Sequence, residues 1–186
     1  NNLNIGNYEY NPAMQNLTSD GEKLRLGFSC FSLKIFYILG IWQKLDDTDK
    51  KNWINYINSF QTINDKFPEN SYIDDILFEN YNNEKIKTFI VDSVKTILNL
   101  YPQNKFEKNQ MKLVKSVNAE TKQAISTLYQ VGERNKKKVG NIFQQDLTVD
   151  NYLNKFDWSK PWNAGAQFSS LCVYSTTQEY EIKDDL

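Results

Sequence analysis

One short pattern occurs twice in this chain, and it limits the fold more than any overall property does. Phe36-Tyr37-Ile38-Leu39-Gly40 is matched 92 residues later by Leu128-Tyr129-Gln130-Val131-Gly132. Asn55-Tyr56-Ile57-Asn58-Ser59-Phe60-Gln61 is matched 96 residues later by Asn151-Tyr152-Leu153-Asn154-Lys155-Phe156-Asp157. The unit is a helix ending in glycine, a connection, and a second helix ending in Phe plus a polar residue. Glycine suits that first ending because the residue that closes a helix is commonly left-handed. A third copy begins near residue 163, where Gln167-Phe168-Ser169-Ser170-Leu171 follows the pattern of residues 123–128. Its second helix is missing, and arrays of this kind need neighbours or caps over their apolar faces. The expected completion is the rest of its own chain or another subunit.

Apolar spacing supports helices throughout. From about Ser19 to Leu45, the residues Leu24, Phe28, Phe31, Ile35, Ile38 and Trp42 recur at helical intervals, which predicts one long helix with that stripe buried. Asp46, Asp47 and Thr48 end it and supply the N-cap of a helix carrying Trp53, Ile54, Ile57 and Phe60. Residues 61–82, with Pro68 and several Asn and Asp, read as loop. Further helices are expected at about 83–101 (stopped by Pro102), 105–117, 119–135, 149–156 and 165–177. Strand signals are weak. The reading is all-α: repeated helical hairpins over residues 19–178, with copies near 19–61 and 119–157. An N-terminal extended arm (1–18) and an acidic tail (179–186) flank them.

Composition excludes several function classes. Hydrophobic residues make up 40% and aromatics 14%, enough for a large core, so the abundant Asn and Lys do not imply disorder. Twenty-two basic against 23 acidic residues leave no field to draw nucleic acid. Arg134, Lys136, Lys137 and Lys138 read as a solvated helix end. No apolar run reaches 18 residues, so no transmembrane segment is expected. The chain carries no histidine, which rules out Ser-His-Asp and Cys-His nucleophiles built from its own residues. Two distant cysteines, Cys30 and Cys172, make a zinc site a poor fit, and no Gly-rich phosphate loop occurs, so no metal and no cofactor are expected. Two buried free thiols or one disulfide remain as readings of the pair. No signal peptide is visible, and the absence of an initial Met fits a processed or trimmed start.

Leu39-Gly40, followed by Trp53-Ile54-Asn55-Tyr56-Ile57-Asn58-Ser59-Phe60-Gln61, resembles the α/α-toroid proteins, the terpenoid cyclases and protein prenyltransferases. In that group helices ending in Leu-Gly alternate with helices ending in Phe-Gln or Trp-Gln, usually before a Gly-x-Phe or Gly-x-Trp turn. Here Gln61 reaches Phe67 without the glycine, and Asp157 stands where the second glutamine would. The resemblance covers residues 20–67 and 119–177 and implies a partial α/α-toroid. The cyclases' Asp-x-Asp-Asp motif is absent; Asp46-Asp47-Thr48-Asp49 is the nearest string and reads as capping. The prenyltransferases' Asp-Cys-His zinc set lacks its histidine.

A toroid would gather the loops that follow each second helix at one open end. Those loops offer Asp74, Asp75, Asp65 and Tyr72 on one side, and Asp157, Trp158, Trp162, Asn163 and Gln167 on the other. Aromatic faces stack on sugars while amides and carboxylates read hydroxyls, so Trp158, Trp162, Asn163, Gln167 and Tyr72 are candidate substrate contacts. Helical toroids also include glycoside hydrolases, which use two carboxylates, and polysaccharide lyases. Asp157 with Asp74 or Asp75 would supply acid–base chemistry on a carbohydrate or isoprenoid-type, lipid-linked small molecule. The alternative expectation is a non-catalytic scaffold that binds a protein partner, with the tryptophans buried at hairpin junctions.

Overall fold

The structure, a computed structural model, describes residues 3–4, 9–10, 24–76, 79, 85–100, 109–140 and 149–178. The chain is mostly helical. The helices are α1 (Leu26–Ile38), α2 (Asp47–Asn58), α3 (Lys85–Leu98), α4 (Asn109–Gln130), α5 (Val149–Leu153) and α6 (Pro161–Gln178), with a 3-10 turn at Trp42–Lys44. Two small antiparallel ribbons join them: β1 (Leu3–Asn4) with β2 (Glu9–Tyr10), and β3 (Gln61–Thr62) with β4 (Ser71–Tyr72). The β3–β4 ribbon lies inside the segment expected to be loop. The remaining arm residues, Pro102 and the 179–186 tail lie outside the described residues.

Both repeat glycines close their helices in the same way. Gly40 has φ 68° and Gly132 has φ 83°. Ile41 N–H donates to the Phe36 carbonyl at 2.8 Å and Gly40 N–H to Tyr37 at 3.0 Å; Glu133 donates to Leu128 at 2.9 Å and Gly132 to Tyr129 at 3.1 Å. These are two Schellman closures at matched positions. The second half of the pattern also repeats locally. Phe60 N–H donates to Ile57 at 3.2 Å and Phe156 to Leu153 at 3.1 Å. Tyr56 meets Phe60 edge-on at 5.3 Å, and Tyr152 meets Phe156 at 5.0 Å. Asp46 is the expected N-cap, accepting from Asp49 N–H at 2.7 Å.

Four buried positions of α1 (Ser29, Ser32, Leu33 and Phe36) fall, at the same 92-residue offset, on four buried positions of α4: Thr121, Ala124, Ile125 and Leu128. The two helices pack side by side. Gln123 Nε2 donates to the Gly27 carbonyl at 3.3 Å, and Thr127 is hydrogen-bonded to the Cys30 thiol. Both contacts ascend together, so α1 and α4 run parallel. α6 packs on α4, and its C-terminal end meets the end of α4 where Arg134 donates to the Thr177 carbonyl at 3.4 Å.

The core lies between α1, α2, α4 and the β3–β4 ribbon, with Tyr174 entering from α6. Trp53 is its centre. Its ring meets Phe36 edge-on at 5.1 Å and Trp42 at 6.2 Å. Its Nε1–H donates to Ser29 Oγ at 3.0 Å, which accounts for a serine on the buried face of α1.

Only part of the stripe expected to be buried is so: Trp42 is buried and Leu24 and Phe28 are half-buried, but the middle of the stripe is open. Phe31 is 52% exposed, Ile35 43% and Ile38 75%, whereas Leu26, Cys30, Leu33 and Phe36 are sealed. α1 is apolar on every side, so periodicity marks two usable faces, and the neighbours chose the one whose small Ser29, Cys30 and Ser32 permit close approach. Other expectations are corrected too. Residues 105–117 and 119–135 are not two helices: α4 is one helix whose bounds are 109 and 130. The basic residues therefore lie past its end, in an irregular segment that bends at Lys136 and Lys137. Pro161 begins α6, where its missing N–H costs nothing, rather than sitting in a loop. Cys172 is exposed and both thiols are free.

Candidate functional site

The α5–α6 junction carries five of the candidate residues. Trp158 Nε1–H donates to the Leu153 carbonyl at 3.1 Å, and its ring lies against Phe156 at 5.6 Å, yet it stays 58% exposed. Trp162, in the first turn of α6, is 89% exposed, so the tryptophans do not plug the hairpin junction. Asn163 and Gln167 are exposed on the same helix. Asp157 accepts from the Ser159 hydroxyl and N–H, and the Lys160 ammonium lies 3.1 Å away. Those hydrogen bonds, Ser159's first and Lys160's next, hold its carboxyl below the ordinary carboxylate range. An exposed carboxylate tied into its own turn is poorly placed to deliver a proton.

Residues 72–75 follow a different plan. Tyr72 is completely buried; its hydroxyl donates to Asn58 Oδ1 at 2.6 Å, and burial raises its pKa. Asp74 is also completely buried. It accepts N–H bonds from Arg25 at 2.7 Å, Leu26 at 2.9 Å and Ile76 at 3.3 Å, with the Arg25 guanidinium 4.0 Å away. It caps α1 across 48 residues and places an anion at the positive end of the helix. Asp75 points to solvent, as does Asp65. Asp74 is therefore sealed inside while Asp157 lies at the surface, and the two do not open onto one accessible cleft.

A buried charged junction beside Asp74 has no signal in the spacing. Glu120 of α4 accepts from the Asp74 backbone N–H, while its Oε2 is buried with no hydrogen-bond partner. Burial first, and the Asp74 charge second, push its carboxyl up to about 8, against the lowering effect of that N–H bond. Arg25 Nε is likewise buried and unpartnered, and the guanidinium sits 5.7 Å over the Phe60 ring.

The segment after Gly132 is held by amide side chains. Gln61, the polar residue of the first repeat, both donates to the Lys137 carbonyl (2.8 Å) and accepts from its N–H (3.0 Å). Asn58 accepts from Lys136 N–H at 3.1 Å, Asn70 donates to the Lys138 carbonyl at 2.9 Å, and Gln178 accepts from Val139 N–H at 3.0 Å. Gly140 closes this clamp against Glu69, its N–H donating to the Glu69 carbonyl at 2.6 Å. These amides act as substitute strand partners, and part of the high Asn content is explained by them.

Among the described residues, no helix is long and apolar enough to cross a membrane, and no group of three His, Cys, Asp or Glu could hold a metal ion. Comparison with protein-family models, curated proteins and solved structures finds no match.

Proposed function

We propose that this chain is a non-catalytic helical-hairpin scaffold, a partial α/α-toroid in which α1, α4 and α6 are successive inner helices, and that it works by presenting an uncovered helix face to another helix. The observation that carries this reading is the exposed stripe Phe31, Ile35 and Ile38 on α1, continued by Leu39 at 64% exposure. Apolar residues at i, i+4 and i+7 left open on a well-packed helix mark an interaction surface. The shared buried register of α1 and α4, their parallel course and their matched closures support the array.

The test is the double change Phe31→Ser with Ile35→Ser. Binding of anilinonaphthalene sulfonate should fall, while stability stays within about 0.5 kcal/mol, as for surface substitutions. Unchanged dye binding, or a loss of several kcal/mol, would sink the proposal.

A second reading is favoured by one observation, the exposure of Trp158 and Trp162 beside Asn163 and Gln167. It makes the α5–α6 junction a carbohydrate-binding platform, with no acid–base role for Asp157 and the sealed Asp74. Titrating neutral and acidic oligosaccharides against tryptophan fluorescence separates it from the first, since a scaffold predicts no saturable change.

A further inference from the structure

The segment after Gly132 carries Arg134, Lys136, Lys137 and Lys138, four cations in five residues. The amide clamp grips its main chain: Gln61 pairs with the N–H and the carbonyl of Lys137, Asn58 accepts from Lys136 N–H, and Asn70 donates to the Lys138 carbonyl. Val139 is buried, whereas Lys136, Lys137 and Lys138 are exposed. Among the described residues no ion pair ties Lys136 or Lys137, so the nearby Glu133 and Glu69 leave both ammonium groups unmatched. α6 ends against this row. Arg134 donates to the Thr177 carbonyl at 3.4 Å. Gln178 accepts from Val139 N–H and from Asn135 Nδ2, both at 3.0 Å, and donates to Asn135 Oδ1 at 2.9 Å. The residues that follow in sequence, 179–186, hold Glu179, Glu181, Asp184 and Asp185 against a single Lys183.

We infer that the acidic tail 179–186 lies across the basic row Arg134–Lys138 of the same chain, and that an anionic partner reaches the row only by displacing it. Four carboxylates meet four cations, and the anchored Gln178 fixes where the tail starts. The row spans at most about 14 Å over four Cα steps, whereas eight residues extend to roughly 27 Å, so the tail can reach every cation. Exposed ion pairs are individually weak. A tail tethered at Gln178, however, meets the row at an effective concentration on the order of millimolar, which a free acidic peptide or the tail of a second copy does not match at micromolar levels. The clamp helps as well: the main chain of the row is already fixed, so ordering is lost only in the tail. Such a contact is screened by salt, because the charges stay near the surface. It is independent of the exposed α1 stripe and of the scaffold reading.

Zero-length carbodiimide coupling tests the contact on the native chain, since it joins an amine to a carboxylate only where the two touch. At low salt, mass spectrometry should find Lys136 or Lys137 joined to Glu181, Asp184 or Asp185 within a monomer. The yield should fall roughly five-fold in about 0.5 M sodium chloride. Lys160 and Asp157, 3.1 Å apart, are the positive control for the chemistry. Glu181→Gln with Asp184→Asn and Asp185→Asn removes the anions and leaves the clamp intact. In that variant Lys136 and Lys137 should acetylate about three-fold faster relative to the exposed Lys51, and a polyglutamate peptide should bind. Adding Lys136→Gln and Lys137→Gln should abolish that binding; both changes keep the main-chain bonds of the clamp, and circular dichroism checks the fold. Links found only in a cross-linked dimer overturn the inference, because the tail then serves a second copy. Polyglutamate binding equally well to the native chain overturns it too, because the row is then open. So does the absence of any link where the control couples.

Discussion

Glu120 should make this fold lose stability as the solution becomes alkaline. Its carboxyl is raised from the ordinary 4.5 to about 8, chiefly because Oε2 is buried without a partner and secondarily because the Asp74 charge lies close. A raised folded-state pKa means that the folded chain holds the proton more tightly than the unfolded one. The contribution is fully present below about 4.5, declines as pH climbs through about 8, and is gone above it. At 1.36 kcal/mol per pH unit, that interval bounds the loss at roughly 5 kcal/mol, a large share of a typical domain's 5–15 kcal/mol. Urea unfolding followed by far-ultraviolet circular dichroism between pH 5.5 and 9 measures it, with the slope checked for two-state behaviour. Glu120→Gln keeps the side chain neutral, so its profile should be flatter. Relative to the variant, the native protein should lose up to about 3.4 kcal/mol between pH 5.5 and about 8 and little more by pH 9, within that bound. Parallel profiles across the range would show that Glu120 does not carry the proton, and the reasoning would fail.

Three more outcomes follow from the same contacts. Asp74→Ala removes the acceptor for three N–H groups at the start of α1 and should cost on the order of 2 kcal/mol by urea unfolding; Asp74→Asn should instead move the Glu120 midpoint downward, because one charge that raises it is gone. Gly140→Ala places a Cβ 2.7 Å from the Glu69 backbone nitrogen, which has to shift, and should cost about 1–3 kcal/mol, with faster amide exchange over residues 135–140. In the native protein a thiol reagent should modify Cys172 and spare Cys30, which is fully buried with its thiol pushed up to about 12; two equivalents reacting before unfolding would contradict the buried α1–α4 contact.

Helix existence was legible wherever a local rule applied. Gly40 and Gly132 end their helices, Asp46 caps α2, and Tyr56–Phe60 repeats as Tyr152–Phe156, because each depends on residues within a turn or two. The candidate site fared differently. Asp157 and the tryptophans sit where a hairpin junction was expected, but Asp74 turned out to serve α1 from 48 residues away. Nothing in the spacing of Glu120 marks it, since its burial comes from the β3–β4 segment meeting α4.

The glycine-ended helix that recurs after 92 residues was therefore decided by sequence alone, because backbone closure is a local matter of φ and of hydrogen bonds to the preceding turn. Which side of α1 would be buried was decided only by tertiary structure. Its residues are apolar all round, and periodicity cannot rank two apolar faces; the close fit of Ser29, Cys30 and Ser32 against Trp53 and α4 does so. That choice leaves Phe31, Ile35 and Ile38 outside, and the function proposed here depends on it.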